Sequence, residues 1–581
     1  MNKLEKVKIM IDGLEIEVEK GTTVLEAAKE VGIHIPTLCY LKNVNEPSSC
    51  RACVVEVGPR LIASCTLKAE DGMNIKTNTK KVREARKTVV ELILSDHKRE
   101  CTSCLRNEKC ELQSLANNLN IRELRFEGER TRAEIDYSSP AIVRDIEKCI
   151  LCGRCIATCS NVQTVNAIGF INRGFGTIVG PSFDKPLADS VCINCGQCIL
   201  ACPVGALYEH ENINDIWREI ENPDKLVVVQ TAPAVRVALG EEFGLPIGTR
   251  VTGKMVAALR KIGFDKVFDT DFAADLTIME EGTELIKRLE TGENLPLMTS
   301  CCPGWVKFVE HNFPNMLENL STCKSPHEME GALIKSYFAK RMNVDPKNIV
   351  VVSIMPCTAK KFESQREELS NQQMQDVDYV LTTRELAQMI KEAGIDFVNL
   401  KDEEFDNPFG EATGAGVIFG ATGGVAEAAL RTVFELVAGK DLDTVDFNAV
   451  RGIEGIKEAT IELPNGAVIN TAVINGLGNA RKVMELIQKG EKNYQFIEVM
   501  ACPGGCINGG GQPIVDKETR ENIDVKIARS KAIYDEDKSL PIRKSHKNPY
   551  IKKIYDEFLG EPNSHLSHQL LHTNYVAREK F

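Results

Sequence analysis

Hydrophobic and polar positions alternate through residues 7–19, VKIMIDGLEIEVE, and the alternation breaks at Asp12-Gly13. A period of two interrupted by Asp-Gly predicts a β-hairpin. The following stretch, TTVLEAAKEVG, shifts to helical spacing behind a threonine able to cap it. Strand, strand and helix predict a small β-grasp module. From about residue 225 the apolar runs KLVVVQTAP, NIVVVSIMP and YQFIEVMACP alternate with amphipathic stretches such as TGKMVAALRKIG and TTRELAQMIKEAG. Continuous apolar runs between helices predict buried strands of an α/β domain, whose strand ends carry the chemistry. From about residue 526 the chain is helical and polar, with KNPYIKKIYDEFLG and SHLSHQLLHTNY, a tail able to wrap that domain. The expected class is a multidomain α+β and α/β protein.

Composition narrows the function. A chain of 581 residues exceeds one core and needs several domains. A net charge of -12, with acids and bases interspersed, excludes a nucleic-acid surface and suits protein partners. The start is charged and alternating, and no window of about 18 uninterrupted apolar residues follows. The expectation is a cytoplasmic protein with no membrane span. Twenty-one cysteines in such a chain favour metal ligation over disulfides, because the cytosol keeps thiols reduced.

The cysteines fall into groups. Cys39, Cys50, Cys53 and Cys65 follow the β-grasp module and suit a 2Fe-2S cluster, with a structural zinc as the alternative. Their spacing differs from the plant-type run C-x4-C-x2-C. Cys101, Cys104 and Cys110 supply three ligands where a cubane takes four. His97, four positions earlier at the end of a predicted helix, is the candidate fourth ligand, or else an ordinary surface or core histidine. As a neutral ligand it would raise that cluster's potential. The internal repeat CILCGRCIATC and CINCGQCILAC has the form C-x2-C-x2-C-x3-C in each half. Three sulfurs of each half converge on one cubane and the fourth crosses to the other. Cys149, Cys152, Cys155 and Cys202 form one set, and Cys192, Cys195, Cys198 and Cys159 the second. Pro203 follows the second half, while Ser160 stands where the first would have proline.

Five more cysteines lie in TSCCPGW, IMPCTAKKFE and EVMACPGGCINGGG: Cys301, Cys302, Cys357, Cys502 and Cys506. With one of the adjacent pair set aside, four remain for a further cubane. A vicinal disulfide is the plain alternative for the pair. These segments resemble the three signature segments of the FeFe hydrogenases, and the whole chain is similar to their multi-cluster members. The resemblance implies an H-cluster, a cubane joined through one cysteine sulfur to a diiron unit bearing CO, cyanide and azadithiolate. Its implied ligands are Cys302, Cys357, Cys502 and Cys506, with Cys506 bridging. It also implies a proton relay from Cys301 through Glu281, Ser321 and Glu284 to Arg288. Lys360 is assigned to one cyanide, and Ala232, Pro233 and Pro326 line the other. Met355, Phe419 and Met500 are assigned to packing. His327 follows Pro326 where clostridial relatives carry glutamine, which touches one cyanide hydrogen bond. Cys323 has no assigned role and reads as a small buried residue. Without the resemblance, Glu281 and Glu284 read as solvated helix charges, Lys360 as a packed stem and the methionines and phenylalanine as core.

Five domains are expected: a 2Fe-2S ferredoxin-like β-grasp domain (1–80), a small helical His/Cys3 4Fe-4S domain (81–138), a bacterial-type 2x(4Fe-4S) ferredoxin-like domain (139–210), an H-cluster α/β domain (211–525) and a helical small-subunit-like tail (526–581). The expected function is reversible hydrogen oxidation in an electron-bifurcating complex linked to ferredoxin and NAD(P). The glycine-rich GATGGVAEAAL belongs to the hydrogenase domain, so no flavin or nicotinamide site is expected here. Expected partners are flavin and NAD(P)-binding and small iron-sulfur subunits, and ferredoxin. The alternatives are a monomeric ferredoxin-dependent hydrogenase and, from another class, a non-catalytic assembly or hydrogen-sensing relative. The presence of Cys301 speaks against the last.

Overall fold

The computed structural model describes residues 5–371, 374–438, 445–462, 466 and 468–580. Lys6–Ile11 pairs antiparallel with Leu14–Glu19, and the turn residues Asp12 and Gly13 have φ of 48° and 90°. Two consecutive positive φ angles match the twist of a tight hairpin. The Thr23 side chain caps helix Val24–Glu30 by accepting from the Glu26 amide. Asn74–Lys76 joins the hairpin in parallel and bridges it to Val54–Val57 and Arg60–Ala63, closing a five-stranded sheet. Val7, Ile9 and Ile11 share one core with Val24, Ala27 and Ala28 of the helix. This is the β-grasp arrangement.

The α/β domain is built on two four-stranded sheets. In the first, Leu226–Thr231 lies between Lys266–Asp269 and Ile349–Met355, with Tyr379–Thr382 at one edge, all parallel. In the second, Leu297–Met298, Phe496–Met500 and Val468–Asn475 are parallel and Ile456–Glu462 closes the edge antiparallel. Each cysteine motif begins within three residues of the carboxyl end of a parallel strand, after Met298, Met355 and Met500. Convergence of those ends assembles a site from segments distant in sequence. Helix Thr270–Thr291 packs against both layers and is buried along most of its length, including Glu280, Glu281, Glu284 and Arg288.

The tail wraps this domain. Ala532 and Ile533 enter the core beside Ile418 and Phe419, and Leu570 and Leu571 pack with Met329. A buried ion cluster anchors it: fully buried Arg431 donates to Asp537 at 3.0 and 2.9 Å and to Glu427 at 2.7 Å. Arg431→Ala would leave two buried carboxylates short of a cation. It is expected to cost about 3 kcal/mol, read as a lower thermal midpoint, with Arg451 and Arg543 limiting the loss. No helix among the described residues is long and apolar enough to cross a membrane.

Candidate functional site

Cys302 caps helix Pro303–Asn312, and its sulfur accepts from the Ala501 amide at 3.4 Å, which joins the first motif to the third. Burial lifts the Cys357 thiol to about 12, and Cys302 adds to the effect. Cys502 is raised by burial and then by Cys357, Cys195, Cys302 and Cys506, so these thiols crowd one region. Thiols that oppose one another's ionisation away from water form a donor set suited to a cationic metal core. The surrounding backbone segments pack closely on one another. Gly505 has φ of 94°, and a Cβ there would lie 2.6 Å from the Thr422 amide nitrogen. Gly510 packs on the loop of the second cysteine repeat, where a Cβ would meet the Cys195 carbonyl at 2.4 Å. That loop therefore abuts the Cys506 loop directly.

Glu281, Glu284 and Arg288 share one face of helix Thr270–Thr291 by their spacing. Arg288 donates to Glu284 at 2.6 Å and to the Leu320 carbonyl at 3.0 Å. Ser321 is held by its own amide on the Met298 carbonyl at 2.7 Å, and its hydroxyl donates to Glu284 at 2.9 Å. Burial, reinforced by the Glu284 charge, pushes the Glu281 carboxyl up to about 8. Burial and then Glu281 raise the Cys301 thiol well above its ordinary value. The structure thus brings Cys301, Glu281, Ser321, Glu284 and Arg288 into one sequence of neighbours.

Lys360 donates to the Cys301 carbonyl at 3.1 Å and to Glu363 at 2.6 Å. Burial opposes the Glu363 charge, but Lys360 and His327 overcome it and hold the carboxyl at about 2. His327 places Nε2 2.7 Å from Glu363 and Nδ1 3.0 Å from the Ser353 hydroxyl. Both ring nitrogens meet protein groups, and His327 shares Glu363 with Lys360. Glu363 was missed in the sequence, although the Lys-x-x-Glu spacing of AKKFE offered it. Phe419 and Met500 share a core against which Cys301, Cys302 and Cys506 pack, while Ala232 and Met355 lie in the neighbouring core. Pro233 and Pro326 are buried.

The accessory cysteines also gather. The Cys53 and Cys65 sulfurs lie 3.4 Å apart, and hydrogen bonding to Cys50 lowers Cys39 to about 5. Cys149, Cys152, Cys155 and Cys202 line one small cavity, and Cys159, Cys192, Cys195 and Cys198 line another. Each cavity takes one cysteine from the opposite half of the repeat. Cys104 contributes to the raised thiol of Cys110, whereas Cys101 is exposed. His97 is the C-terminal cap of helix Lys80–Asp96, and its buried Nδ1 has no hydrogen-bond partner, leaving a nitrogen free for a metal.

Buried thiols gathered at converging strand ends, next to two cysteine-lined cavities, define the donor sets of an iron-sulfur oxidoreductase. The family described as iron only hydrogenase large subunit, C-terminal domain, matches residues 225–510, and the iron hydrogenase small subunit family matches 523–578. A 2Fe-2S cluster binding domain matches 5–80, an NADH-ubiquinone oxidoreductase-G iron-sulfur binding region 86–125 and a 4Fe-4S dicluster domain 148–206. The NADP-reducing hydrogenase subunit HndD of Solidesulfovibrio fructosivorans is 51% identical, covering 99% of this chain and 100% of its own. Iron hydrogenase 1 of Clostridium pasteurianum is 43% identical over 98% of this chain and 99% of its own. The solved FeFe-hydrogenase HydA1 of Chlamydomonas reinhardtii is 41% identical, covers 64% of this chain and 100% of its own, and superposes with a TM-score of 0.57. The chain belongs to the FeFe hydrogenase family, as a hydrogenase carrying an H-cluster domain with 2Fe-2S and 4Fe-4S accessory domains.

Proposed function

We propose that this chain is the hydrogen-converting subunit of a multisubunit NADP-reducing hydrogenase and interconverts hydrogen with protons and electrons. The carrying observation is one thiol, Cys301, beside a four-thiol set and next to the buried carboxyl of Glu281. The subunit role is supported by likeness over the whole chain to an NADP-reducing hydrogenase subunit. Cys302, Cys357, Cys502 and Cys506 would hold the H-cluster. When bound, the H-cluster supplies the redox iron and the internal base that cleave hydrogen. The protein moves the proton: Cys301 receives it at Sγ, Glu281 takes it next, and Ser321 passes it to Glu284, where Arg288 sits towards the exit. Lys360, fixed by Glu363, offers an ammonium donor to an anionic ligand. The backbone around Ala232, Pro233 and Pro326 and the side chains of Met355, Phe419 and Met500 exclude water. Cys192, Cys195, Cys198 and Cys159, whose loop abuts Cys506, would hold one 4Fe-4S cluster and Cys149, Cys152, Cys155 and Cys202 a second, and these would supply redox chemistry next to the site. Beyond them lie two branches, the Cys39, Cys50, Cys53 and Cys65 centre and the centre of His97, Cys101, Cys104 and Cys110. Two branches suit two acceptors, ferredoxin and a flavin subunit that binds NAD(P), joined by a small iron-sulfur subunit. The compartment in this reading is the cytoplasm, where thiols stay available for cluster assembly.

Infrared spectra after maturation, with hydrogen uptake assayed on the complex isolated with its partners, test this reading. CO and cyanide bands are expected, with uptake requiring NADP and ferredoxin carriers together with the partner subunits. Absence of the bands sinks the hydrogenase reading. Full uptake with ferredoxin by the isolated chain sinks the complex and favours a monomeric enzyme.

A further inference from the structure

The tail meets the relay at one place. Lys324 donates its amide to the Leu571 carbonyl at 2.8 Å, Thr573 donates to Thr322 at 2.8 Å, and Cys323 faces His572 across this antiparallel bridge. His572, 8% exposed, therefore stands directly behind the segment that carries Ser321. Its Nδ1 lies 2.8 Å from the Thr322 hydroxyl and its Nε2 lies 3.1 Å from Glu280. The Thr322 amide in turn points at both oxygens of Glu284, at 3.4 and 3.3 Å.

Helix Thr270–Thr291 buries three carboxyls in this region, Glu280, Glu281 and Glu284. Arg288 takes Glu284. Glu280 is fully buried and, among the described residues, takes its hydrogen bonds from the tail: Tyr555 donates at 2.5 Å, the Asn563 amide at 2.7 Å, and His572 is the third partner. Glu281 instead faces Ser321 and Arg288. The other groups facing His572 are Thr322 and Cys323 across the bridge and His568, whose ring centre is 4.2 Å away. Lys287 and Glu284 bear on His568 from the relay helix.

We propose that His572 is a positioning residue of the relay: from the tail it holds the Glu280 carboxyl in place beside Glu281 and, through the Thr322 hydroxyl, fixes the Thr322 amide against Glu284. This rests on the relay reading given above. Nothing in Glu280 distinguishes it chemically from Glu281, so the difference must come from partners. The partners of Glu280 all lie in the tail, which makes docking of the tail a condition for a single defined proton route.

The full chain with its cubanes assembled, before and after loading of the diiron unit, provides the test. In the unloaded protein, His572→Ala is expected to shift an infrared carboxyl band, and the shift is expected to vanish when Glu280→Gln is combined with it. In the loaded protein the same variant is expected to lower dye-linked hydrogen oxidation roughly ten- to a hundredfold and to raise its solvent isotope effect, with iron content unchanged. His572→Gln, which can still donate to Glu280 and accept from Thr322, should recover most of the rate. Unchanged band, rate and isotope effect in His572→Ala overturn the proposal. Equal losses in both variants with a matching fall in thermal midpoint overturn it too, because the role is then structural. Glu281→Gln run alongside separates the two readings: a wild-type rate there removes the relay itself, whereas a slow Glu281→Gln beside a normal His572→Ala removes only the role of His572.

Discussion

Cys301→Ser is expected to lower hydrogen turnover by roughly 10²–10⁴ while iron content and the CO and cyanide bands stay near those of the parent. The geometry separates Cys301 from its neighbour by role. The Cys302 sulfur is turned to the Ala501 amide at the start of a helix, among the thiols of the other two motifs. The Cys301 thiol is raised by burial and by Glu281, so it carries its proton at neutral pH. A thiol can still release that proton when another arrives, with an ordinary value of about 8.5, whereas a hydroxyl holds on far too tightly. The contact from Lys360 goes to the Cys301 backbone carbonyl and survives the substitution, so the pocket keeps its shape. Cys302→Ser should behave differently, losing iron from the cubane before any question of turnover arises. If both variants lost iron to the same degree and turned over equally poorly, the division into ligand and relay would be wrong.

What the sequence revealed depended on how local the cause was. The hairpin at Asp12-Gly13 was legible because its turn residues and alternation lie within thirteen positions. The cysteine repeat was legible because its loops carry their own geometry, and the two cavities each collect one sulfur from the opposite half. The second sheet of the α/β domain was legible only in part, at the apolar run that ends in Phe496–Met500. Its strand Leu297–Met298 is two residues long, too short for any period, and exists because it pairs with Phe496 and Ile497. His327 stood out only by its position after Pro326, while the partners of its imidazole, Ser353 and Glu363, come from another strand and its following helix. Glu280 was indistinguishable from its neighbours on the helix until Tyr555 and His572 arrived from the far end of the chain. Local rules find where chemistry-bearing residues lie, while long-range partners decide the charge each one carries.

Glu281→Gln should stop the relay and, in the same molecule, stabilise the fold at alkaline pH. Glu281 is 3% exposed, and burial, followed by the Glu284 charge, lifts its carboxyl from 4.5 to about 8, with Ser321 and Arg288 pulling only partly back. The folded state therefore binds this proton more tightly than the unfolded state. Stability contributed by that difference is complete below about 4.5 and is lost as pH rises towards about 8. The loss is on the order of a few kcal/mol. Glutamine has the same shape and no ionisation, so the variant should show a flatter fall of thermal midpoint between about pH 5 and pH 8 than the parent. Its turnover should nonetheless drop by roughly 10²–10⁴, since an amide cannot accept and release the proton from Cys301. An identical pH slope in parent and variant would mean that Glu281 ionises freely in the fold, and unchanged turnover would mean that protons leave by another route. The expected opposition of the two effects follows from one cause: a carboxyl poised near 8 exchanges protons readily at neutral pH because burial has removed the solvation that would stabilise its charge.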